Sequence, residues 1–331
     1  GFPGTKDAGH NFNKQFTDHL VHEVGLIPNP ADGAFFHCER NGHFFSSSWF
    51  VDDAAAYCTS QSLMDEIFDK INKKYPLKRR KGINLIIGIY VIRDTFDGKQ
   101  RTRFHQNVLI NEIGELAKQT SAKHRPTPFP TSWVPFTEAD TVRDPAARKE
   151  LDLYPYRKLL GKVAYVVRGT RWECLYHTAF LQQFQTCYGW KMIDGLLYLI
   201  AYLFTNQDIM LTYVSGYDGV FALFAMCDAS NANCPDTRLS QDGSVSFLFG
   251  CPIKAYSKKQ KAVALSSMES EFMGAFEAAK VLIHLLRAGE GYRLKIRTPL
   301  PVLEDNNAAI MLSMKPSLNS SRARHMEVRW H

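Results

Sequence analysis

The chain has 331 residues, of which 45% are hydrophobic and 22% are charged, and its formal net charge is +7. This composition is typical of a folded globular protein and excludes a disordered tail. The length predicts two or three domains, and the positive charge modestly favours polyanionic partners.

The seven cysteines are odd in number and form no CxxC pair. They argue against a disulfide framework or a zinc site and indicate a reducing compartment. No signal peptide opens the chain. The most apolar stretch, residues 193–204, is too short to span a bilayer and contains Asp194. We expect a soluble, intracellular protein without a membrane partner.

The first 125 residues alternate helical and extended patterns. Apolar side chains at helical spacing predict an amphipathic helix ending at Gly25, and these are Phe12, Phe16, Leu20 and Val24. Strands are predicted at residues 35–38, 44–51, 54–58 and 85–92, and a helix at 62–75. The basic run at residues 73–81 is either a solvated helix end or a nucleic-acid contact.

The proline-rich residues 125–135 exclude regular structure and predict a linker. Helical patterns then dominate, with helices predicted at residues 156–169, 175–184 and 191–204. From about residue 220 the pattern changes to strands, which are predicted at residues 221–227, 244–249, 262–265 and 301–303. A helix is predicted to begin at Ser266, and a short one spans residues 308–312.

Four acidic residues fall at the ends or borders of these last elements. Asp228 follows a predicted strand, Glu271 lies beside the apolar helix face, Asp305 precedes the short helix, and Glu327 lies in a charged segment. Ordinary interpretations exist: a solvated strand end, an N-cap for Asp305 and a surface ion pair for Glu327. Ser266 and Glu269 match a capping box, which gives Glu269 a structural role. Acids that converge would need hard divalent cations.

The stretches around these acids resemble the ribonuclease H domains of copia-type retrotransposons. The matching motifs are residues 227–230, 258–260 with 263–272, 304–310 and 324–327. The resemblance implies that Asp228, Glu271, Asp305 and Glu327 hold two Mg²⁺ ions, with Mn²⁺ as an alternative. One ion would activate water, and the other would stabilise the departing ribose 3′ oxygen. The family has Asp at the fourth position, so the longer Glu327 is expected to shift the second metal.

The acidic pair Asp52 and Asp53 follows an apolar strand. The pair is either an exposed turn or part of a polymerase metal site. Residues 49–53 resemble the YVDD box of copia-type reverse transcriptases, with Phe50 in place of Tyr. Three later blocks of the same reverse transcriptase family are similar to residues 85–89, 156–161 and 169–171 of this chain. The family's third Asp is expected to precede residue 1, so DNA synthesis by this chain alone is not expected.

The predicted fold class is α/β. It comprises a reverse transcriptase palm and thumb remnant at residues 1–125, a linker and helical connection at 126–217, and a ribonuclease H-like domain with a mixed five-stranded sheet at 218–331. The resemblance implies a retrotransposon polyprotein fragment that hydrolyses RNA in RNA–DNA hybrids, in a cytoplasmic virus-like particle or the nucleus. The alternatives are an inactive remnant that binds nucleic acid or protein, and an unstable relic. Oligomeric state, upstream sequence and any host role stay open.

Overall fold

A computed structural model of the chain describes residues 8–51 and 53–314. Helices and strands are mixed throughout this part, so the predicted α/β class is confirmed. The chain divides into two compact units. The first comprises the described residues up to Ile87 together with Ile283–Ile296, and the second comprises Gly88–Leu282 together with the described residues from Arg297 onward.

The first unit opens with the predicted amphipathic helix. Helix α1 spans Ala8–Asp18 and continues as one π-helical segment, His19–Val24. The helix ends at Gly25, whose φ of 79° is left-handed and whose N–H donates to the carbonyl of Leu20. The predicted end is therefore confirmed.

The sheet of the first unit is a meander of four antiparallel strands, in the order β1-β2-β3-β4. The strands are β1 Ile27–Asn29, β2 Asp32–Arg40, β3 His43–Phe50 and β4 Asp53–Cys58. Helix α2, Gln61–Asn72, buries Leu63, Ile67 and Ile71 at i, i+4 spacing. The three predicted strands and the helix of this region are confirmed, although α2 ends before Tyr75.

The strand predicted at residues 85–92 is wrong as a single element. It is two strands, β5 Leu85–Ile86 and β6 Ile89–Phe96. Between them, Ile87 and Gly88 adopt positive φ values of 43° and 74°, which no continuous strand accommodates. The apolar pattern of residues 85–92 does not show this break between the two strands.

The second unit contains a helical core. Its helices are α3 Asn107–Leu116, α4 Pro145–Leu151, α5 Tyr156–Gly169, α6 Leu175–Gln183 and α7 Trp190–Thr205. The last three confirm the predicted helical block. Strands β7 Lys99–His105 and β8 Leu211–Val214 pair with each other, and β7 also pairs with β6. Residues 125–135 lack regular structure, as predicted, and Phe129 from this segment is buried in the helical core.

The second unit also contains a mixed sheet with the order β11-β10-β9-β12. Its strands are β9 Leu223–Ser230, β10 Gln241–Leu248, β11 Cys251–Lys259 and β12 Val302–Leu303. The first three are antiparallel neighbours, whereas β12 runs parallel to β9. The described residues supply four strands, and the expected fifth has no counterpart among them.

Two further helices begin in this unit, α8 Ser267–Gly291 and α9 Asn307–Ser313, although the residues of α8 from Ile283 onward belong to the first unit. The strand predicted at residues 262–265 is wrong, because this segment is the loop that enters α8 and Leu265 is exposed. The sheet strand is instead β11, which was missed because its lysines and serines lack the apolar enrichment of a typical strand. Within the described ranges, no helix is both long and apolar enough to cross a membrane.

A candidate metal centre at three converging carboxylates

Asp228 is placed by strand pairing. The prediction that it follows the strand is wrong, because β9 continues to Ser230, which pairs with Gln241 of β10. Asp228 lies inside β9, exposed, opposite Gly243. It is therefore held by a sheet ladder rather than by a loose turn.

Asp305 reaches Asp228 through the parallel pairing of β12. Val302 pairs with Ala225 and Leu303 with Met226, so the chain leaving β12 runs alongside the next residues of β9. The N-cap of α9 is Asn306, whose Oδ1 accepts from the backbone N–H groups of Ala308 and Ala309 at 3.0 and 3.1 Å. The N-cap interpretation of Asp305 is therefore wrong, and its exposed carboxylate is not used by the cap.

Glu271 comes from the first turns of α8. The predicted capping box at this helix start is confirmed in part: Ser266 Oγ accepts from the N–H of Glu269 at 3.2 Å, whereas Glu269 Oε2 accepts from the N–H of Leu265, one residue before Ser266, at 2.7 Å. The side chain of Glu269 is thus committed to the helix start. Glu271 is only 5% exposed, and the backbone N–H of Ala229 donates to its carboxylate.

These three acids form a cluster. One carboxylate oxygen from each of Asp228, Glu271 and Asp305 lies within 4.8 Å of the other two. In residues 8–51 and 53–314, no other group of three His, Cys, Asp or Glu side chains meets this geometry. The fourth predicted acid, Glu327, lies outside the described residues.

The electrostatics of the cluster favour a cation. Burial, followed by the negative charges of Glu304 and Asp228, raises the pKa of Glu271 to about 7. In addition, Glu271 Oε2 is buried and has no hydrogen-bond partner among the described residues. A buried, unpaired carboxylate oxygen is unfavourable unless a cation or donor meets it. Hard divalent ions prefer such carboxylate ligands, so the donor set fits a divalent cation of this kind.

Glu304 is a neighbour of the cluster that the sequence analysis did not single out. Its Oε1 accepts from the N–H of Asn306 at 3.0 Å, and its Oε2 accepts from the thiol of Cys227 at 3.3 Å. Burial and then this contact raise the pKa of Cys227. Glu304 directly precedes Asp305, but only the parallel pairing of β12 with β9 shows that it borders the site.

A cavity of about 500 Å³ borders Asp228 in the second unit. Its walls include the aromatic side chains of Trp172 and Tyr176 on one side and residues of β9, β10 and β11 on the other. Aromatic side chains beside polar residues of a sheet suit contacts with the sugars of a nucleic acid.

The acidic pair of the first unit has a different setting. Asp52 lies outside the described residues. Asp53 begins β4, and its Oδ2 accepts from the backbone N–H of Ile87 at 3.1 Å. Among the described residues Asp53 is not part of any acidic group that could hold a metal.

Comparison with known proteins identifies transposon-encoded relatives. The chain is 23% identical over 279 residues to the putative transposon Ty5-1 protein of Saccharomyces cerevisiae. This match covers 84% of this chain and 86% of that protein. It is 24% identical over 328 residues to the retrovirus-related Pol polyprotein from transposon TNT 1-94 of Nicotiana tabacum. It is 22% identical over 331 residues to that from transposon RE1 of Arabidopsis thaliana.

The two plant matches cover 99% of this chain but only 24% and 21% of the polyproteins. The chain thus spans about a fifth to a quarter of those relatives. No protein-family model matches the chain. No solved structure matches it either. The relatives support a retrotransposon-derived protein.

Proposed function

We propose that the second unit hydrolyses the RNA strand of RNA–DNA hybrids in a Mg²⁺-dependent reaction, as part of a retroelement polyprotein. The observation that carries this proposal is the meeting of Asp228, Glu271 and Asp305 from β9, α8 and the turn after β12. The similarity to retrovirus-related Pol polyproteins supports a nucleic-acid substrate. So does the net charge of +7.

The three carboxylates have distinct roles in the proposed reaction. Asp228 and Asp305 are exposed and present their oxygens where a phosphodiester can approach. Glu271 is buried and supplies an oxygen that the protein itself leaves unpaired. Bound divalent cations would supply an activated water and stabilise the leaving ribose oxygen. Glu327 is proposed as a fourth ligand on the basis of the motif resemblance.

The cavity beside Asp228 offers a place for the substrate. Trp172 and Tyr176 in its wall can pack against the riboses of one strand while the phosphodiester lies at the carboxylates. Contacts to riboses carry little sequence information, which agrees with recognition of the hybrid by its shape and its 2′-hydroxyl groups.

The test uses purified protein, a labelled RNA–DNA hybrid and Mg²⁺. We expect the wild type to cut only the RNA strand and Asp228→Asn to lose cleavage, because one ligand oxygen and its charge are removed. Asp208→Asn, which neutralises an exposed acid outside the cluster, is the matched control and should keep activity. A wild type that leaves the hybrid intact, while an unrelated ribonuclease H cuts it, contradicts the proposal.

A second candidate function is an inactive remnant that still binds nucleic acid. The observation that favours it is Glu327, which stands where the resembled family has Asp. Hybrid affinity of the wild type and of Asp228→Asn in Mg²⁺ distinguishes the two candidates. Equal affinity without cleavage by either protein supports the remnant, whereas cleavage that is lost only in Asp228→Asn excludes it.

A further inference from the structure

A buried amide connects the sheet to the helix turn that carries Glu271. Gln260 follows β11 and is only 4% exposed. Its backbone N–H donates to the carbonyl of Ser240 at 2.8 Å, which fixes the residue to the start of β10. Its side-chain Nε2 donates to Asp242 Oδ1 at 2.5 Å and to the carbonyl of Ser270 at 2.8 Å.

Both partners of this amide NH₂ group are hydrogen-bond acceptors, and this restricts which residue types fit at position 260. A carboxylate oxygen and a backbone carbonyl offer no protons, so the side chain between them needs two N–H donors on one atom. The NH₂ group of Gln260 supplies both. Asp242 is 2% exposed and Ser270 is fully buried, so leaving either acceptor without its N–H donor costs free energy.

The bonds close a circuit through the candidate metal centre. Ser270 directly precedes Glu271, whose carboxylate accepts from the N–H of Ala229. Ala229 is in turn paired with Asp242 across β9 and β10. The path therefore runs from Asp242 through Gln260, Ser270, Glu271 and Ala229 back to Asp242, and it fixes the start of α8 against β9.

We propose that Gln260 is a positioning residue for metal binding: its amide holds the backbone at Ser270 so that the carboxylate of Glu271 meets Asp228 and Asp305. Gln260 does not contact the substrate or the metal. This inference rests on the proposed function, because it assumes that the carboxylate cluster holds a divalent cation. Loss of a residue that orients a ligand typically weakens metal affinity by about 10- to 100-fold.

The test compares Gln260→Met with Gln241→Met in the full chain. Gln241 is a similarly buried glutamine, but its Nε2 donates to Ser257 Oγ of the neighbouring strand at 2.9 Å rather than to α8. Binding of Mn²⁺ is measured by electron paramagnetic resonance, hybrid cleavage is measured across Mg²⁺ concentrations, and thermal unfolding is followed for all proteins.

We expect Gln260→Met to raise the dissociation constant for Mn²⁺ by about tenfold and to raise the Mg²⁺ requirement for cleavage similarly. Gln241→Met should lose stability but keep the wild-type affinity for Mn²⁺. A purely structural role would shift both variants alike or leave Mn²⁺ affinity unchanged, and either result overturns the inference.

Should Gln260→Met fail to fold, Asp242→Leu tests the same connection, because leucine has a similar size but offers no acceptor to Gln260 Nε2. Unchanged Mn²⁺ affinity in that variant overturns the inference, and weakened affinity supports it. A wild type that binds Mn²⁺ but does not cut the hybrid contradicts only the proposed hydrolysis, and the Mn²⁺ comparison still decides the role of Gln260. A wild type that binds no Mn²⁺ overturns both.

Discussion

The carboxylates of the second unit come from three elements that are far apart in sequence, whereas Asp52 and Asp53 are adjacent on the chain. The distant acids meet closely enough that burial and neighbouring charges raise the pKa of Glu271 to about 7. By contrast, the carboxylate of Asp53 accepts a hydrogen bond from the backbone N–H of Ile87 and belongs to no acidic cluster among the described residues. Adjacency in sequence is therefore a weaker sign of a metal site than convergence of unpaired, partly buried acids.

The largest expected effect separates the two acidic regions by activity. Asp305→Asn should lower the rate of hybrid cleavage by on the order of 100-fold or more, because replacing a ligand is at least as harmful as disturbing a residue that orients one. Asp53→Asn should leave the rate unchanged, since its carboxylate is outside the cluster. Rates are measured with both variants at saturating Mg²⁺. Equal losses in the two variants would remove the distinction between the regions.

The second effect is the pH dependence of metal binding. Glu271 must be ionised to bind a cation, and its pKa is raised to about 7 in the metal-free protein. Affinity for Mn²⁺ should therefore be constant above about pH 7.5 and fall below pH 7, approaching tenfold per pH unit. Mn²⁺ titrations from pH 8 to pH 5.5 measure this dependence. Glu271→Gln should bind weakly at every pH and lose the step near pH 7; an unchanged step in that variant would assign the titration to another group.

The third effect is on the free energy of unfolding, and it has opposite signs in the two acidic regions. The folded-state pKa of Glu271, about 7, lies above its ordinary value of 4.5. Its ionised form is therefore less stable in the folded protein. This penalty is absent below about pH 4.5, grows as the pH rises to 7, and is constant above. Without metal at pH 8, Glu271→Gln should raise the free energy of unfolding by about 2 to 3 kcal/mol.

Asp53→Ala should lower the free energy of unfolding by about 1 kcal/mol, because the N–H of Ile87 loses its acceptor. Urea unfolding in the presence of a chelator measures both variants. The gain from Glu271→Gln should disappear near pH 4.5, and a gain that persists there would show that packing, not charge, is its cause.

The smallest effect compares two helix caps. Asn306 caps α9 next to the cluster, and Ser60 caps α2 in the first unit by accepting from the N–H of Leu63. Replacement of either by Ala should lower the free energy of unfolding by about 1 kcal/mol. Only Asn306→Ala should also weaken Mn²⁺ affinity, because it loosens the turn that carries Asp305. Equal Mn²⁺ affinities in the two variants would show that this turn does not need its cap to place Asp305.

Local sequence patterns were sufficient where a few neighbouring residues decide the structure. The spacing of Phe16, Leu20 and Val24 before Gly25 predicted the first helix and its end, because periodic burial and a left-handed glycine act within a few turns. The capping box of Ser266 and Glu269 was predicted for the same reason, and it correctly separated Glu269 from Glu271. The motif resemblance also selected the three acids that the fold brings together.

Tertiary structure decided what depends on strand pairing. Strand β11 was missed because its backbone pairs with β10 although its side chains lack an apolar signature. Glu304 borders the site because β12 lies parallel to β9, which also brings the thiol of Cys227 to the carbonyl of Leu303, 76 residues away. The role proposed for Gln260 likewise depends on a circuit through two strands and a helix. The sequence motifs selected the acids that the fold brings together, whereas only the backbone pairing decided which groups hold them in place.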